Sequence, residues 1–368
     1  MIVQRKMTPL QPYGYLTITV RRRDGSVRSE NRYVVDSLTR NFWLYFHLLV
    51  SAHSSFVLQR SILNQDRSLA RTSTTQGYRM TSQAGAGELP GIQLGTGDTA
   101  MQLFDESLES RILHGTLEGR LVSGAMNFTL LDTGVRMIRV FDNNSGATID
   151  VREAGVHLNS SSSFGSANYN NSNYSYLHVR DVLPEAIPVP DGEAATVQYE
   201  MFFGSGNRNL HRYWQAYWGG PTAWTATTYL VSGGTSSIDI RNIQVDAGVG
   251  QTRGIYAGTG DTPSTVNDIT LADEISHGTD PGQLLYLECS ITSLSISNAT
   301  GIAEFDVTRI FTNDSGADIT IRELGLFGNT ATNNINTRYL LDRYVLPTPV
   351  TIPAGESRAA RWMFYYSI

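Results

Sequence analysis

The chain is short of the residues that usually give chemistry away. It has one cysteine, Cys289, in 368 residues, which excludes an intramolecular disulfide and any cysteine-based zinc site. Cys289 lies in the alternating run Leu285-Tyr286-Leu287-Glu288-Cys289-Ser290-Ile291, where a small buried apolar residue is expected. Charged residues make up only 17% and the formal net charge is -6. No dense basic run compensates, so nucleic-acid binding is not expected. Arg21-Arg22-Arg23 stands beside Asp24-Gly25 and reads as the cap of a hairpin. No stretch approaches the roughly 18 apolar residues of a spanning helix, so membrane insertion is not expected. Met1-Ile2-Val3-Gln4-Arg5-Lys6 has no apolar segment behind its charges, and no secretory signal is expected. None of the seven histidines stands in H-x-H or H-E-x-x-H spacing. Asp- and Asn-rich turns leave calcium open, although no twelve-residue EF-hand loop occurs. No cofactor is expected.

What the chain does have is glycine, 34 residues, and more Tyr (18) than Phe (13). Ser, Thr and Asn crowd the segments between apolar runs, the profile of a β-rich protein with many turns. Its length and 40% apolar content suffice for two ordinary domains. The organising feature is a repeat. Gly95-Thr96-Gly97-Asp98-Thr99 returns unchanged as Gly258-Thr259-Gly260-Asp261-Thr262, a shift of 163 from 95 to 258. Ile112, His114, Gly115, Thr116 and Gly119 return at the same shift as Ile275, His277, Gly278, Thr279 and Gly282. Arg139 through Gly155 then faces Arg309 through Gly325, the shift growing to 170. Arg180 and Val182-Leu183-Pro184 pair with Arg343 and Val345-Leu346-Pro347, back at 163. Each copy closes on an alternating aromatic strand, Val197–Phe203 and Arg361–Tyr366. The boundary falls after Phe203, giving domains 1–203 and 204–368.

Within the first copy, Leu16, Ile18 and Val20 alternate with Tyr15, Thr17 and Thr19, and Asp24-Gly25 supplies the turn of a hairpin over 14–35. Leu38, Phe42, Tyr45, Phe46, Leu48 and Leu49 recur at helical spacing and predict an amphipathic helix over about 37–51. Leu210 to Trp218 predicts its counterpart, ended by Gly219-Gly220-Pro221. Strand-like runs cover Thr227–Val231 and Ser237–Val245, while residues 54–90 carry little regular content. An Asp before Leu108 and Leu271 suits a capped helical turn, Asp105 and Asp268 being the caps. Arg139–Gly155 and Arg309–Gly325 read as strand, Asn/Ser/Gly turn, strand: a hairpin in each copy. A polar loop over 159–175 follows the first.

The GTGDT loop lacks the Lys of a P-loop and the third glycine of a dinucleotide fingerprint. Its expected role is structural: Gly95, Gly97, Gly258 and Gly260 supply positive φ, and Asp98 and Asp261 accept backbone amides. On a two-residue period Glu153 shares a face with Ile149 and Val151, and Glu323 with Ile319 and Ile321. An inward carboxylate needs partners, and backbone amides of the loop would serve, making each copy a clasp of loop to sheet. Catalytic use would need a second acid or base nearby, and no repeated nucleophile–base pair occurs; no enzymatic activity is expected. His114 and His277 are expected to donate to turn carbonyls. Tyr169, Tyr174, Trp214, Trp218 and Trp224 offer the amphipathic aromatics that sugars use, and are the candidate ligand or partner surface. Solubilisation and subunit contact explain the same composition.

The opening strand pair, Asn41-Phe42-Trp43, the GTGDT loop with Asp105 and Leu108, and the hairpin Asn313 to Leu326 ending Glu323-Leu324-Gly325-Leu326-Phe327 follow one another in a familiar order. In that order they resemble virion structural proteins of tailed bacteriophages. In the first copy Val156-His157 stands where the second has Leu326-Phe327. The resemblance covers most of both halves except residues 54–90 and the long loop. It implies a part of the tail, neck, fibre base or capsid surface, and carries no catalytic residues.

The expectation is therefore a mainly β chain of two tandem antiparallel β-sandwich, jelly-roll-like domains from an internal duplication, each with one short amphipathic helix. It would assemble in the host cytoplasm as a homo-oligomer and dock to other virion structural proteins. The alternatives are a capsid decoration protein, or a module on the virion exterior that binds a receptor or host-surface glycan. An enzyme such as a glycan hydrolase would show a carboxylate pair in a cleft.

Overall fold

A computed structural model describes residues 2–7, 13–35, 38–39, 42, 60–63, 69–72, 78–81, 86–87, 90–131, 134–162, 175–202, 210, 225–230, 232, 235–239, 245, 247–292, 294–297, 299–329 and 338–367. In chain order the first half supplies strands β1 (Ile2–Met7), β2 (Tyr13–Arg21), β3 (Val27–Val35), β4 (Arg60–Leu63), β5 (Leu69–Thr72), β6 (Tyr78–Thr81), β7 (Gly91–Gly95), β8 (Val122–Ser123), β9 (Asn127–Leu130), β10 (Gly134–Asp142), β11 (Ile149–Ser162), β12 (Ser175–Val189) and β13 (Ala194–Phe202). The second half continues with β14 (Thr225–Tyr229), β15 (Thr235–Asp239), β16 (Gly254–Gly258), β17 (Leu285–Ile291), β18 (Ser295–Ser297), β19 (Ile302–Thr312), β20 (Ile319–Asn329), β21 (Arg338–Ile352) and β22 (Ser357–Ser367).

These strands form several antiparallel sheets, and the chain is mainly β. In the first half one sheet runs β3-β2-β13-β10-β8, with β9 also on β10, and another runs β12-β11-β6, with β7 also on β11. The second half has β22-β19-β17, with β18 on β19, and β16-β20-β21. Two-stranded ribbons β4-β5 and β14-β15 complete the set. Equivalent strands pair in equivalent register. Glu153 faces Gly95 and Val182, and Glu323 faces Gly258 and Val345. Period-two alternation explains the core. Val135, Met137, Arg139 and Phe141 of β10 point inward, as do Ala303, Phe305, Val307, Arg309 and Phe311 of β19.

The hairpin over 14–35 is present as β2 and β3, turning at Arg22–Ser26. Gly25 takes φ +83° there, and Asp24 Oδ1 accepts the Ser26 amide at 2.9 Å. The hairpin expected at Arg139–Gly155 is not one. Strand β10 pairs with β13, β8 and β9, whereas β11 pairs with β12, β7 and β6, so the turn carries the chain from one sheet to the other. Strands β19 and β20 part in the same way. Asn143 explains the arch. Its Nδ2 donates to Ala147 O at 2.7 Å and to Val189 O on β12 at 2.6 Å, while its Oδ1 accepts from Ser145. Asn313 repeats this with Ala317, Ile352 and Ser315. The amide spans the turn and a strand beyond it, so the flanking strands diverge.

The expected helices are not borne out. Of the segments 37–51 and 210–218 the structure describes Leu38, Thr39, Phe42 and Leu210 alone. Leu38 forms a β-bridge to Val179, and Thr39 Oγ1 donates to Leu177 O at 2.6 Å, which anchors this stretch on β12. Only Phe42 and Leu210 have helical backbone, and both are buried. The turns at Asp105 and Asp268 are tight loops without a helix. Residues 54–90 contain three short strands, β4 to β6, and the polar stretch beginning at 159 is still strand through Ser162, paired with β6. The expected runs near 227 and 237 are the ribbon β14-β15. The expected boundary at 203/204 falls outside the described residues. Strand β1, from the first half by sequence, pairs in parallel with β22 of the second.

Candidate functional site

The structure places Glu153 where its face predicts, fully buried on β11 at the point where the β12 register slips between Val151 and Glu153. Its carboxylate gathers four donors. Oε1 accepts from the Gly97 amide at 3.3 Å and the Ser110 amide at 2.8 Å. Oε2 accepts from the Glu109 amide at 3.1 Å and from Arg180 Nε at 2.8 Å. Arg180, 2% exposed on β12, continues outward to Asp105 Oδ2 at 2.7 Å and to Thr99 O at 3.2 Å. Burial works against its charge, but the Asp105 and Glu153 carboxylates more than offset this and raise its pKa above the ordinary arginine value. Two segments of loop are thus tied to the sheet by one buried ion pair.

Glu323 on β20 repeats the arrangement. It accepts from Gly260 N at 3.2 Å, Asp273 N at 2.9 Å, Ala272 N at 3.2 Å and Arg343 Nε at 2.6 Å. Arg343 reaches Asp268 Oδ2 at 3.0 Å and Thr262 O at 2.9 Å. Among the loop positions that differ between the two clasps, 109 and 272 bear directly on the buried pair. In the first, Glu109 Oε2 accepts from the Thr99 amide at 2.9 Å and hydroxyl at 2.7 Å, which holds the Glu109 carboxyl below its usual pKa. In the second, Ala272 stands there and the Thr262 hydroxyl accepts from Arg343 instead, at 3.1 Å.

Two details of the expected clasp are corrected. Gly95, Gly97, Gly258 and Gly260 are not among the glycines of positive φ. They are needed for room. A Cβ at Gly95 would lie 2.3 Å from Glu153 Oε1, and one at Gly258 would lie 2.5 Å from Glu323 Oε1. At Gly97 the obstacle is Glu109 Cβ at 2.5 Å, and at Gly260 it is Ala272 Cβ at 2.6 Å. Asp98 and Asp261 do not hold the loop from within. Their side chains are 67% and 75% exposed and lie 3.6 Å and 4.0 Å from Arg152 and Arg322. The loop is instead held by Glu153 and Glu323 from the sheet, and by Arg180 and Arg343. Those arginines are repeated in the sequence, where no local pattern assigns them a partner.

Two further pairs brace the same region. Arg139, fully buried on β10, donates to Gly124 O at 2.8 Å and, through Nη1, to Pro90 O at 3.1 Å and Ile92 O at 3.0 Å. Arg309 does likewise toward Leu287, Arg253 and Ile255. Each guanidinium so fastens one sheet to the strand entering the loop. Donation to turn carbonyls is expected of His114 and His277; at Nδ1 both rings accept. The amides of Ser123 and Tyr286 approach their Nδ1 atoms at 3.1 Å in both cases.

The chemistry open to this site follows from its saturation. A carboxylate offers about four lone-pair positions, and each of Glu153 and Glu323 has all of them answered. Neither oxygen is left to take a proton from a substrate, which a general base requires. Among the described residues no group of three or more His, Cys, Asp or Glu side chains could hold a metal ion, and no helix is long and apolar enough to cross a membrane. Tyr169, Tyr174, Trp214, Trp218 and Trp224 lie outside the described residues. No family model, curated protein or solved structure matches the chain.

Proposed function

We propose that the chain is a structural protein of a tailed-bacteriophage virion. In this reading it is two tandem antiparallel β-sandwich domains from an internal duplication, assembled as a homo-oligomer and docked to other virion proteins in the tail, neck or fibre region. The observation that carries the reading is the clasp. Twice in one chain a buried, fully hydrogen-bonded Glu–Arg pair is spent on fixing a loop rather than on chemistry. Beyond each clasp the loop is exposed, at Asp98–Ala100 and at Asp261–Asn267. A rigid sheet presenting a pinned, exposed loop suits permanent docking, because little ordering entropy remains to be lost on contact. The phage assignment itself rests on the ordered motifs that end in Glu323-Leu324-Gly325-Leu326.

The test is direct. Virions purified from the source lysate are probed by mass spectrometry and by gold-labelled antibody against the chain, and the purified chain is weighed by light scattering. Label at the tail, neck or fibre region, together with an oligomeric mass, is the expected result. A chain abundant in the lysate but absent from purified particles overturns the reading.

A further inference from the structure

The described strands contain one parallel ladder, and it joins the two ends of the chain. Ile2 to Met7 run beside Ala359 to Phe364, six residues in register, with Val3 opposite Ala360 and Gln4 opposite Arg361. Strand β2, next in sequence, belongs to a different sheet, where it pairs with β13 and β3. In its own sheet β1 is terminal and has β22 as its single neighbour. The edge it covers has a deeply buried lining. Ala360, Trp362, Phe364 and Tyr366 of β22 are 0–2% exposed, so an uncovered β22 would present an apolar strand with a free row of backbone donors and acceptors.

The equivalent edge in the first half is closed differently. Strand β13 is covered by β2, which continues through a tight turn into β3, so that closure is locked by a hairpin. The cover of β22 is held by its single ladder and by a connection of five residues, Thr8-Pro9-Leu10-Gln11-Pro12. That connection holds two prolines, Pro9 and Pro12. Met7 and Tyr13 are six residue steps apart, a reach of roughly 20 Å. The backbone bonds of the ladder are the same whether β1 comes from its own chain or from a neighbour. Only effective concentration separates the two, and in an assembly the neighbour's arm is as close as the chain's own.

We propose that β1 is an exchange strand: in the assembled protein it pairs with β22 of a second copy and links copies head to tail. The proposal rests on the homo-oligomer of the proposed function and specifies how its copies are joined. A contact between different surfaces closes into a ring or continues as a filament, according to the rotation between copies.

The experiment uses the full chain carrying Gln4→Cys and Arg361→Cys, prepared as a tagged and an untagged form, mixed, assembled and oxidised. Cys289 is buried and stays out of the reaction. On a non-reducing gel, exchange gives a ladder of covalent species starting at mixed dimers. A bridge confined to single chains overturns it, and does so even if light scattering shows an oligomer, which leaves the virion reading standing. A second variant lacking residues 1–7 covers the case in which no bridge forms. Its mass is expected to fall to the monomer with its β circular dichroism retained, and an oligomer of unchanged mass overturns the exchange. A full chain that stays monomeric at every concentration overturns it too. A clear ladder from a chain missing from purified particles removes the virion reading alone.

Discussion

The two halves keep the same clasp and differ in what surrounds it. Beyond Glu153, β11 carries His157, and β12 carries His178 at a slip in register between Val156 and His157. Phe327 and Leu341 occupy the equivalent places in the second half. Both histidines are essentially fully buried, and neither ring nitrogen of His157 has a hydrogen-bond partner among the described residues. Burial above all, and then the Arg111 charge, push the His157 pKa down to about 3. Burial, and then His157, do the same to His178. In the second half Arg338 lies against Phe327, 4.6 Å from its ring and 4.9 Å from that of Tyr256, and pairs with Glu274 at 2.6 Å. One scaffold thus tolerates a neutral histidine pair or a charged, aromatic-capped cluster at the same depth. The clasp is the shared requirement and the layer above it is free to diverge.

That comparison can be broken most severely at the clasp. Removing one partner of a buried ion pair costs about 3–5 kcal/mol, because the other charge is left uncompensated. Glu153→Ala and Glu323→Ala should each lower stability by that order in chemical denaturation. Glu323→Ala should be the worse, since Arg343 has no counterpart of Glu109 to turn to. Equal losses would show that Glu109 does not share the Arg180 charge.

Acid should separate the halves next. In the unfolded chain an imidazole takes its proton near 6.5, whereas His157 and His178 resist until about 3. The unfolded state therefore binds more protons across that window, and stability is lost progressively as the pH falls from about 6.5 toward about 3. At pH 4.5 the loss should be about 2–3 kcal/mol per ring. His157→Phe with His178→Leu, which copies the second half, should flatten the pH dependence of unfolding between those limits. An unchanged slope would place the acid sensitivity elsewhere.

Gly95→Ala and Gly258→Ala come third, at about 1–3 kcal/mol, because a methyl group is forced against a carboxylate that cannot move away. A methyl tolerated at both sites would mean that the clasp has slack. The smallest effect is expected from Glu109→Ala, which gives the first loop the alanine of the second. Thr99 loses its acceptor on a largely exposed side chain, and the thermal midpoint should move less than for any variant above.

Much of this site could be read from the sequence, and its omissions have physical causes. The inward faces of Glu153 and Glu323 follow from alternation alone, and the turn at Asp24-Gly25 from local chemistry. Their arginine partners stand on the neighbouring strand, 27 and 20 residues away. A two-residue period says which face a side chain takes and nothing about what lies opposite. The signal was there in Arg180 and Arg343, polar residues repeated within apolar strands. Asn-Asn-Ser-Gly suits both a hairpin turn and the arch at Asn143; the difference lies in the bond to Val189, on another strand. The helix expected over 37–51 rests on apolar spacing alone. Leu38, at its start, bridges to Val179 on β12, a tertiary partner that no local window contains, and apart from Thr39 and Phe42 the rest of the segment lies outside the described residues.

The single parallel ladder has a consequence for how the chain is made. Strand β2 cannot find β13 until about 180 further residues have left the ribosome, and β1 cannot meet β22 until about 350 more have been made. Pairings so distant in sequence are slow to form, and an unpaired strand is open to other chains while it waits. On a shared polysome, a β22 already made belongs to a chain further along in synthesis. If β1 exchanges as proposed above, copies would begin to join before the newest of them is complete.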